Sequence, residues 1–275
     1  MKPDLSIIIV SFNTEALTLS AIESVYKDGS RLEKQIIVVD NDSKDGSLKS
    51  LRGLEQSHKD FVLIENKKNL GFAKANNQGI KKAKGKYILL LNSDTIVRPG
   101  ALGKMVEFVR NAPDAAVIGA RLLNSDGSVQ PSCFHFPTVW RAIAEYWLGK
   151  KGFFTHFAPL GESPKEVEAL VGASFLLTPI ALEKVGLLDE RYFFYFEDID
   201  YCRRVRKAGL KVYYLPEAKI VHFGGASGRS LAAQKDQWRR LIPSSKIYHG
   251  TLGHYLLFSV MWLGQKWEQF LKKPN

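Results

Sequence analysis

Short, almost uninterrupted apolar segments alternate with amphipathic segments over the first 120 residues. The amphipathic segments, 16–26, about 47–56 and 72–83, carry apolar residues at helical spacing, and Pro99-Gly100 marks the start of a further helix. Strands that are buried on both faces of a parallel sheet lack polar alternation. The apolar segments have this character, and they read LSIIIV (5–10), QIIVVD (35–40), FVLIEN (61–66) and YILLLN (87–92). The alternation predicts an α/β fold with a doubly wound, mostly parallel sheet.

The second half of the chain has a less regular pattern. Residues 131–168 are rich in aromatic residues, Pro and Gly without a clear period, and such long loops are usually functional. We find no internal repeat and no low-complexity linker. The 275 residues therefore predict one domain, 1–228, followed by a helical appendage, 229–275.

Polar side chains follow the predicted strands at the point where each strand ends. In doubly wound sheets, ligands bind beyond the carboxyl ends of the strands. No G-x-G-x-x-G sequence follows the first strand, which argues against a dinucleotide site. The residues that we expect at this edge are Ser11-Phe12-Asn13, Asp40-Asn41-Asp42, Asn66 and Asn92-Ser93-Asp94.

The net charge of +11 is unusually high and unevenly distributed. From residue 228 onward, eight Lys or Arg residues face two acidic residues, which contributes 8 − 2 = +6. This segment includes LGHYLLFSVMWLG (252–264), which is shorter than the roughly 20 residues of a membrane-spanning helix. Two interpretations stand: a helix lying in the membrane interface, or a helix packed on the domain.

The cellular compartment is predicted from the cysteines and from the first residues. Cys133 and Cys202 form neither a disulfide framework nor a zinc-binding spacing. MKPDLSIIIV has no charged n-region, no long apolar region and no small-residue cleavage site. We expect a cytoplasmic protein, peripheral on the cytoplasmic face of the inner membrane if residues 229–275 bind lipid.

Several motifs occur in an order and spacing that resemble a known family. They are SIIIVSFN (6–13), IIVVDNDSKDGS (36–47), NLGFAKANNQGI (69–80), NSD (92–94), FEDIDYCRR (196–204) and IVHFGGAS (220–227). The chain resembles, over roughly residues 5–228, the family 2 inverting glycosyltransferases with the GT-A fold. The resemblance is strongest to the bacterial branch that contains rhamnosyltransferase-like enzymes.

The resemblance implies a nucleotide-sugar site along the strand ends. Asp40 would accept a hydrogen bond from the N–H edge of a pyrimidine. Asp42 and Asp45 also suit turn and helix-capping duty. Gly71 lets backbone N–H groups approach a ligand, although a simple capped helix explains the same stretch. The residues implied to bind the nucleotide-sugar are Ser11, Asn13, Asp40, Asp42, Asn69, Gly71, Asn76, Asn92, Ser93 and Asp94.

A divalent cation, Mg²⁺ or Mn²⁺, is also implied. Asp94 stands where the family has the last carboxylate of an Asp-x-Asp motif that holds the cation on the sugar diphosphate. Asn92 departs from the strict motif, and its amide oxygen is a neutral, weaker ligand. His222 matches the histidine that completes the site in metal-binding relatives, although a lone histidine on a strand is more often a packing residue. Arg229 is expected to neutralise the leaving diphosphate.

The catalytic base implied by the resemblance is Asp198, the second acid of a Glu-Asp pair. Glu197 beside it, together with Gly172 and Ala173, is expected on the acceptor side. The structural alternative is that these acidic residues only form ion pairs with the arginines that follow them. Asp200 is the residue best placed to form such ion pairs.

These features and the resemblance predict a metal-assisted, inverting glycosyl transfer. The donor would be a dTDP- or UDP-sugar, with rhamnose the favoured sugar, and the acceptor a hydroxyl of a cell-surface or lipid-linked glycan. A sugar-phosphate nucleotidyltransferase is the alternative enzyme, but SFNTEALTL lacks its glycine-rich activating loop. A non-enzymatic basic protein that binds membrane or nucleic acid is the third reading. Nucleic acid is disfavoured, because the carboxylates at the strand ends would repel phosphate.

Overall fold

The computed structural model describes residues 2–224 and 237–271, which form eleven strands and eight helices within those ranges. The strands are β1 Leu5–Ser11, β2 Lys34–Asp40, β3 Phe61–Glu65, β4 Tyr87–Asn92, β5 Thr95–Val97, β6 Ala115–Leu123, β7 Cys133–Phe134, β8 Lys165–Val167, β9 Ala169–Leu170, β10 Ser174–Leu177 and β11 Lys211–His222. The helices are α1 Glu15–Tyr26, α2 Ser47–Ser57, α3 Phe72–Lys82, α4 Ala101–Arg110, α5 Val139–Tyr146, α6 Pro179–Lys184, α7 Glu197–Lys207 and α8 Gln237–Leu271.

A single mixed sheet organises the domain, in the order β3-β2-β1-β4-β10-β6-β11-β5, with β8 pairing β11. The first four strands are parallel, which confirms the prediction for this half. In the second half, β10 lies antiparallel between β4 and β6, whereas β6 and β11 are parallel. A small second sheet pairs β7 with β9.

Both faces of the sheet are covered, which explains the uninterrupted apolar runs. Successive residues of a strand point to opposite faces. Ile7 and Ile9 pack with residues of α1 and α4, whereas Ile8 packs on the other side with residues of α3 and α7. A polar residue at either kind of position would have to be buried without water.

The short strand β5, which follows β4 after two residues, brings the NSD segment next to the end of β11. The short strand β5 pairs antiparallel with the end of β11, so that Thr95 lies opposite His222. The backbone N–H of Phe223 also donates to the carbonyl of Asp94 at 3.0 Å. The end of the second half of the sheet thereby lies next to the NSD segment.

Helix α8 is bent at Gly250, where φ is 74° and ψ is 162°. Before the bend, Ser244 donates a hydrogen bond to the carbonyl of Phe194 at 2.8 Å. After the bend, the helix runs along α5, and the indole N–H of Trp147 donates to the carbonyl of Val260 at 3.1 Å. No helix in the described part of the chain has the length and hydropathy needed to cross a bilayer. The predicted boundary at residue 229 lies outside the described residues.

Candidate active site

A cleft at the carboxyl end of the parallel strands brings together most of the predicted residues. It lies between β1, β4, the loop before β10 and the N-terminus of α7. Of the fifteen residues predicted for the site, ten line this cleft: Asn69, Gly71, Asn92, Ser93, Asp94, Gly172, Ala173, Glu197, Asp198 and His222.

The other five predicted residues lie outside the lining of the cleft. Ser11 is fully buried, and its hydroxyl is 3.0 Å from that of Thr18. Asn76 is also buried, and its amide donates to the carbonyl of Phe72 at 3.0 Å, one helical turn earlier. Neither side chain faces the cleft, so both support the walls of the site. Asn13, Asp40 and Asp42 lie at the ends of β1 and β2.

Asp40 has one carboxylate oxygen that is hydrogen-bonded within the protein and one that is not. Its Oδ1 accepts from the backbone N–H of Ser43 at 3.0 Å. Its Oδ2 is buried and has no hydrogen-bond partner among the described residues. Because a buried carboxylate oxygen without a partner is costly, this atom marks a place where a ligand donor fits.

The turn after Asp40 is held by its own side chains. Asn13 and Asp42 both have positive φ, at 51° and 73°. Asn13 Oδ1 accepts from the N–H of Lys44 at 2.6 Å, and the Lys44 ammonium lies 2.5 Å from Asp42. Asp45 accepts from the first N–H groups of α1 and α2, at Glu15 and Ser47. Asp42 therefore lies in the turn and Asp45 caps the two helices, which are the turn and capping roles that the sequence suggested for these residues.

Gly71 is required by packing. Its φ is 85° and its ψ is 166°, and a Cβ at this position would lie 2.6 Å from the carbonyl oxygen of Phe193. Its N–H donates to Asn69 Oδ1 at 2.9 Å, and the next N–H, of Phe72, donates to Phe193 at 2.7 Å. Both N–H groups are thus bonded within the protein, and Gly71 serves to dock the 193–196 segment against α3.

An aromatic wall that the motifs did not reveal closes one side of the cleft. Phe193, Phe194 and Tyr195 line it directly before the acidic pair, Phe72 packs edge-on against Phe194, and Phe12 also lines the cleft. The sequence RYFFYFED (191–198) could have indicated this wall, because a buried core seldom needs so many consecutive aromatic residues directly before a helix. Aromatic faces suit the apolar faces of sugar rings.

Asp94 and His222 form a close pair at the floor of the cleft. The antiparallel pairing of β5 with β11 places His222 Nε2 3.4 Å from Asp94 Oδ1, and both side chains are buried. Asn92 Oδ1, two residues before Asp94, is buried without a hydrogen-bond partner among the described residues. No three His, Cys, Asp or Glu side chains gather into a metal cluster within residues 2–224 and 237–271.

Gln130 fixes the proton position on the His222 ring. Gln130 Nε2 donates to the carbonyl of His222 at 3.2 Å and to Asn124 Oδ1 at 3.0 Å, which sets the orientation of the amide. Gln130 Oε1 consequently faces His222 Nδ1 at 2.7 Å, and it can only accept. A neutral His222 therefore carries its proton on Nδ1 and directs the Nε2 lone pair at Asp94.

Asp198 is presented to the cleft by an unusual backbone. Tyr195 and Phe196, the two residues before α7, both have φ of 70°, which bulky residues rarely adopt. This bend directs the first turn of α7 into the cleft. Asp198 Oδ2 accepts from the N–H of Gly172 at 2.9 Å, and Oδ1 accepts from the N–H of Ile199 at 2.8 Å.

The loop that carries Gly172 also connects the two ends of the site. The next carbonyl, of Ala173, accepts from the N–H of Asn92 at 3.0 Å. Asp198 and the NSD segment are therefore tied to the same three-residue loop, which fixes their separation.

The two acids of the pair have different electrostatic environments. Burial raises the pKa of Glu197 well above its usual range, and the charge of Asp198 raises it further. Burial also raises the pKa of Asp198, but the N–H groups of Gly172 and Ile199 oppose this shift. The N–H groups of Gly172 and Ile199 therefore favour the ionised form of Asp198 over the ionised form of Glu197.

Asp200 has a structural role. It accepts from Arg203 at 3.0 Å and from Arg204 at 2.9 Å, at spacings of three and four residues along α7. The ion-pair alternative thus describes Asp200. Arg229 lies outside the described residues.

A parallel half-sheet continued by a mixed half, with helices on both faces, is the architecture of the GT-A class of glycosyltransferase folds. The fold matches that of a solved structure described as GalNAc-T7 with UDP, GalNAc and Mn²⁺. The TM-score is 0.66 at 16% identity, over 80% of this chain and 43% of that one.

The chain belongs to glycosyl transferase family 2, whose sequence profile matches residues 6–158. A second profile, glycosyl transferase family group 2, matches residues 87–268. The chain is 28% identical over 204 residues to the N-acetylglucosaminyl-diphospho-decaprenol L-rhamnosyltransferase of Mycobacterium tuberculosis, a match that covers 68% of this chain and 66% of that protein. It is 25% identical over 225 residues to the dTDP-rhamnosyl transferase RfbF of Shigella flexneri, covering 81% and 70%. The sequence is thus rhamnosyltransferase-like.

Proposed function

We propose that this protein is an inverting glycosyltransferase in which Asp198 is the general base. The observation that carries the proposal is the placement of Asp198, which faces the cleft across from the Asp94–His222 pair and is held by two backbone N–H groups. The acceptor hydroxyl oxygen forms a bond to the anomeric carbon while the bond from that carbon to the diphosphate oxygen breaks. The proton passes to Asp198, and the electron pair leaves with the diphosphate.

The residues present fit a divalent cation. A lone pair on His222 Nε2 that lies 3.4 Å from a carboxylate oxygen favours a positive charge between them, either a proton or a metal ion. Two ligands at right angles on an octahedral ion are about 3 Å apart. Asp94 and His222 would hold the ion with Asn92 nearby, and the remaining ligands would come from the diphosphate. Such an ion, Mg²⁺ or Mn²⁺, supplies charge neutralisation of the leaving group.

The donor and acceptor are proposed from chemistry and from the relatives. Asp40 Oδ2 fits the N–H edge of a thymine or uracil, which favours a dTDP- or UDP-sugar. The names of the relatives favour rhamnose as the sugar and, for the mycobacterial protein, a lipid-linked acceptor. We extend both to this chain, with the acceptor against Phe193, Phe194 and Tyr195. The site of action would be the cytoplasmic face of a membrane.

The experiment is donor turnover by the purified protein. dTDP-rhamnose and several UDP-sugars are supplied with Mn²⁺, with Mg²⁺ or with EDTA, and release of the nucleoside diphosphate is measured. We expect release from one donor that EDTA and Asp94→Ala abolish. Asp114→Asn is the matched control, because Asp114 is a half-exposed carboxylate paired with Lys211 outside the cleft. Failure of every nucleotide-sugar to bind by calorimetry would overturn the proposal.

A further inference from the structure

An apolar surface extends over two elements that are distant in the chain. It consists of residues 140–153, which begin in α5 and continue beyond it, and residues 251–271, the part of α8 beyond the bend, and we call it the α5–α8 face. The two parts are in contact, because Trp147 bonds to Val260 and because a Cβ on Gly264 would lie 2.7 Å from the Cβ of Tyr146. Gly264 therefore allows a close approach of the two helices and makes the face continuous.

The part of α8 beyond the bend buries few of its residues. In residues 251–270, only His254, Leu257 and Gly264 are buried. Of the 17 large apolar side chains that are exposed among the described residues, 12 belong to the α5–α8 face. Monomeric soluble proteins rarely expose so continuous an apolar patch, and a helix that is apolar all round usually has a second apolar environment.

The tryptophans are concentrated on this face. Four of the five tryptophans of the chain, Trp140, Trp147, Trp262 and Trp267, lie within it. Trp140 lies in the first turn of α5 and Trp147 directly follows that helix, and they are 68% and 43% exposed. Trp262 and Trp267 are 50% and 48% exposed. Tryptophan is the residue that favours the interface between headgroups and acyl chains.

Lysines surround the apolar residues. Lys150, Lys151 and Lys266 are exposed on the face. Lys246, before the bend, lies 3.1 Å from the hydroxyl of Tyr255. The sequence from residue 228 onward carries the excess of +6 noted above. Apolar and aromatic residues bordered by lysines are complementary to anionic headgroups above acyl chains.

We propose that the α5–α8 face docks on the surface of an anionic membrane, with residues 251–271 lying in the plane of the interface. The sequence pattern pointed only to residues 229–275, whereas the structure adds α5 and the residues after it as half of the contact. The proposal extends the proposed function, because it would place the cleft beside a lipid-linked acceptor. It stands or falls independently of catalysis, since binding to vesicles needs no donor.

The test is flotation of the full chain with vesicles of pure phosphatidylcholine or of phosphatidylcholine with 30% phosphatidylglycerol, about 100 nm across in each case. We expect at least tenfold tighter binding to the anionic vesicles, weakened at high salt, with a blue shift of tryptophan emission. Trp262→Ser/Leu263→Ser and Trp140→Ser/Leu148→Ser should each reduce binding at least tenfold. Circular dichroism and thermal unfolding verify that the variants fold.

Two controls match these variants. Leu160→Ser removes an apolar side chain that is 90% exposed but belongs to neither element, and it should bind as the parent does. Lys81→Glu/Lys82→Glu reverses two exposed charges on α3, whereas Lys150→Glu/Lys151→Glu reverses two on the face; only the second pair should weaken binding.

Three outcomes would overturn the proposal. Equal or absent binding to both vesicle types would remove the anionic membrane as the partner. Unchanged binding of Trp140→Ser/Leu148→Ser would remove α5 from the surface. A dimer seen by analytical ultracentrifugation that the face variants dissociate, without vesicle binding by the parent, would make the face a contact between two copies of the chain.

Discussion

Replacing Gln130 tests whether the His222 ring is oriented for a cation. Gln130→Leu removes the acceptor 2.7 Å from His222 Nδ1 and leaves a side chain of similar size. The ring then loses both its fixed tautomer and its orientation toward Asp94. Removing such a support of a metal-binding histidine typically weakens metal affinity about 10- to 100-fold, or about 1.4 to 2.8 kcal/mol.

The matched variant is Gln130→Glu. A glutamate keeps an acceptor for Nδ1 but, like leucine, loses the donor bonds to the His222 carbonyl and to Asn124. The difference between the two variants therefore isolates the contact with Nδ1. We expect Gln130→Glu to retain at least the parental affinity, while Gln130→Leu loses about one to two orders of magnitude.

The assay is titration of Mn²⁺ in the presence of the nucleoside diphosphate, followed by electron paramagnetic resonance of the free ion. A long-range ¹H–¹⁵N spectrum of the histidine rings reports the tautomer of His222 without metal, and we expect the proton on Nδ1 in the parent and in Gln130→Glu but not in Gln130→Leu. Equal Mn²⁺ affinity of all three proteins, or a parental His222 protonated on Nε2 alone, would refute the reasoning.

Three further predictions concern acidity and packing. Because burial raises the pKa of Asp198, the rate should fall on acidification at a pH above the usual aspartate range near 3.9, and a pH profile of kcat with its limb at or below that range would contradict this. The folded-state pKa of Glu197 is raised above its unfolded-state value of about 4.3. Neutral Glu197 therefore contributes to the free energy of unfolding. This contribution is fully present below the unfolded-state pKa and is lost as the pH rises through the folded-state pKa. Glu197→Gln should therefore gain stability relative to the parent as the pH rises, measured by urea unfolding, and a difference independent of pH would refute it. Gly71→Ala should cost roughly 3 kcal/mol or more, from its φ of 85° and from the contact with Phe193, whereas Gly100→Ala, with φ of 76° and open space, should cost about 1 kcal/mol. Equal urea midpoints for the two glycine variants would show that the contact is relieved without cost.

The local pattern of the sequence was sufficient for the first half of the fold. Residues such as Ile7, Ile8 and Ile9 are apolar without alternation because helices cover both faces of the sheet, and this requirement is visible in any short window. The strand ends, and with them the edge on which the cleft lies, follow from the same pattern. The motifs then identified ten of the residues that line the cleft.

Spacing along the chain identified the ion-pairing acid of the 197–200 segment, but it did not establish that Asp198 faces the cleft. Asp200 precedes Arg203 and Arg204 by three and four residues, whereas Tyr201 and Cys202 hold those positions after Asp198. The positive φ of Tyr195 and Phe196 and the N–H of Gly172 distinguish them, because these features orient Asp198 toward the cleft while Asp200 meets Arg203 and Arg204.

Contacts between distant segments were decided only by the tertiary structure. Gln130 supports His222, the 193–196 segment requires Gly71, and α5 joins α8 in one apolar face. Gln130 and α5 carry no signal in their own neighbourhood, and the sequence singled out Gly71 for the approach of a ligand rather than for its packing against Phe193. The sequence by itself determined which residues must be buried and where strands end, because burial and periodicity act over a few residues. The partners of the site were determined by strand pairing and helix packing, which act only once the chain has folded.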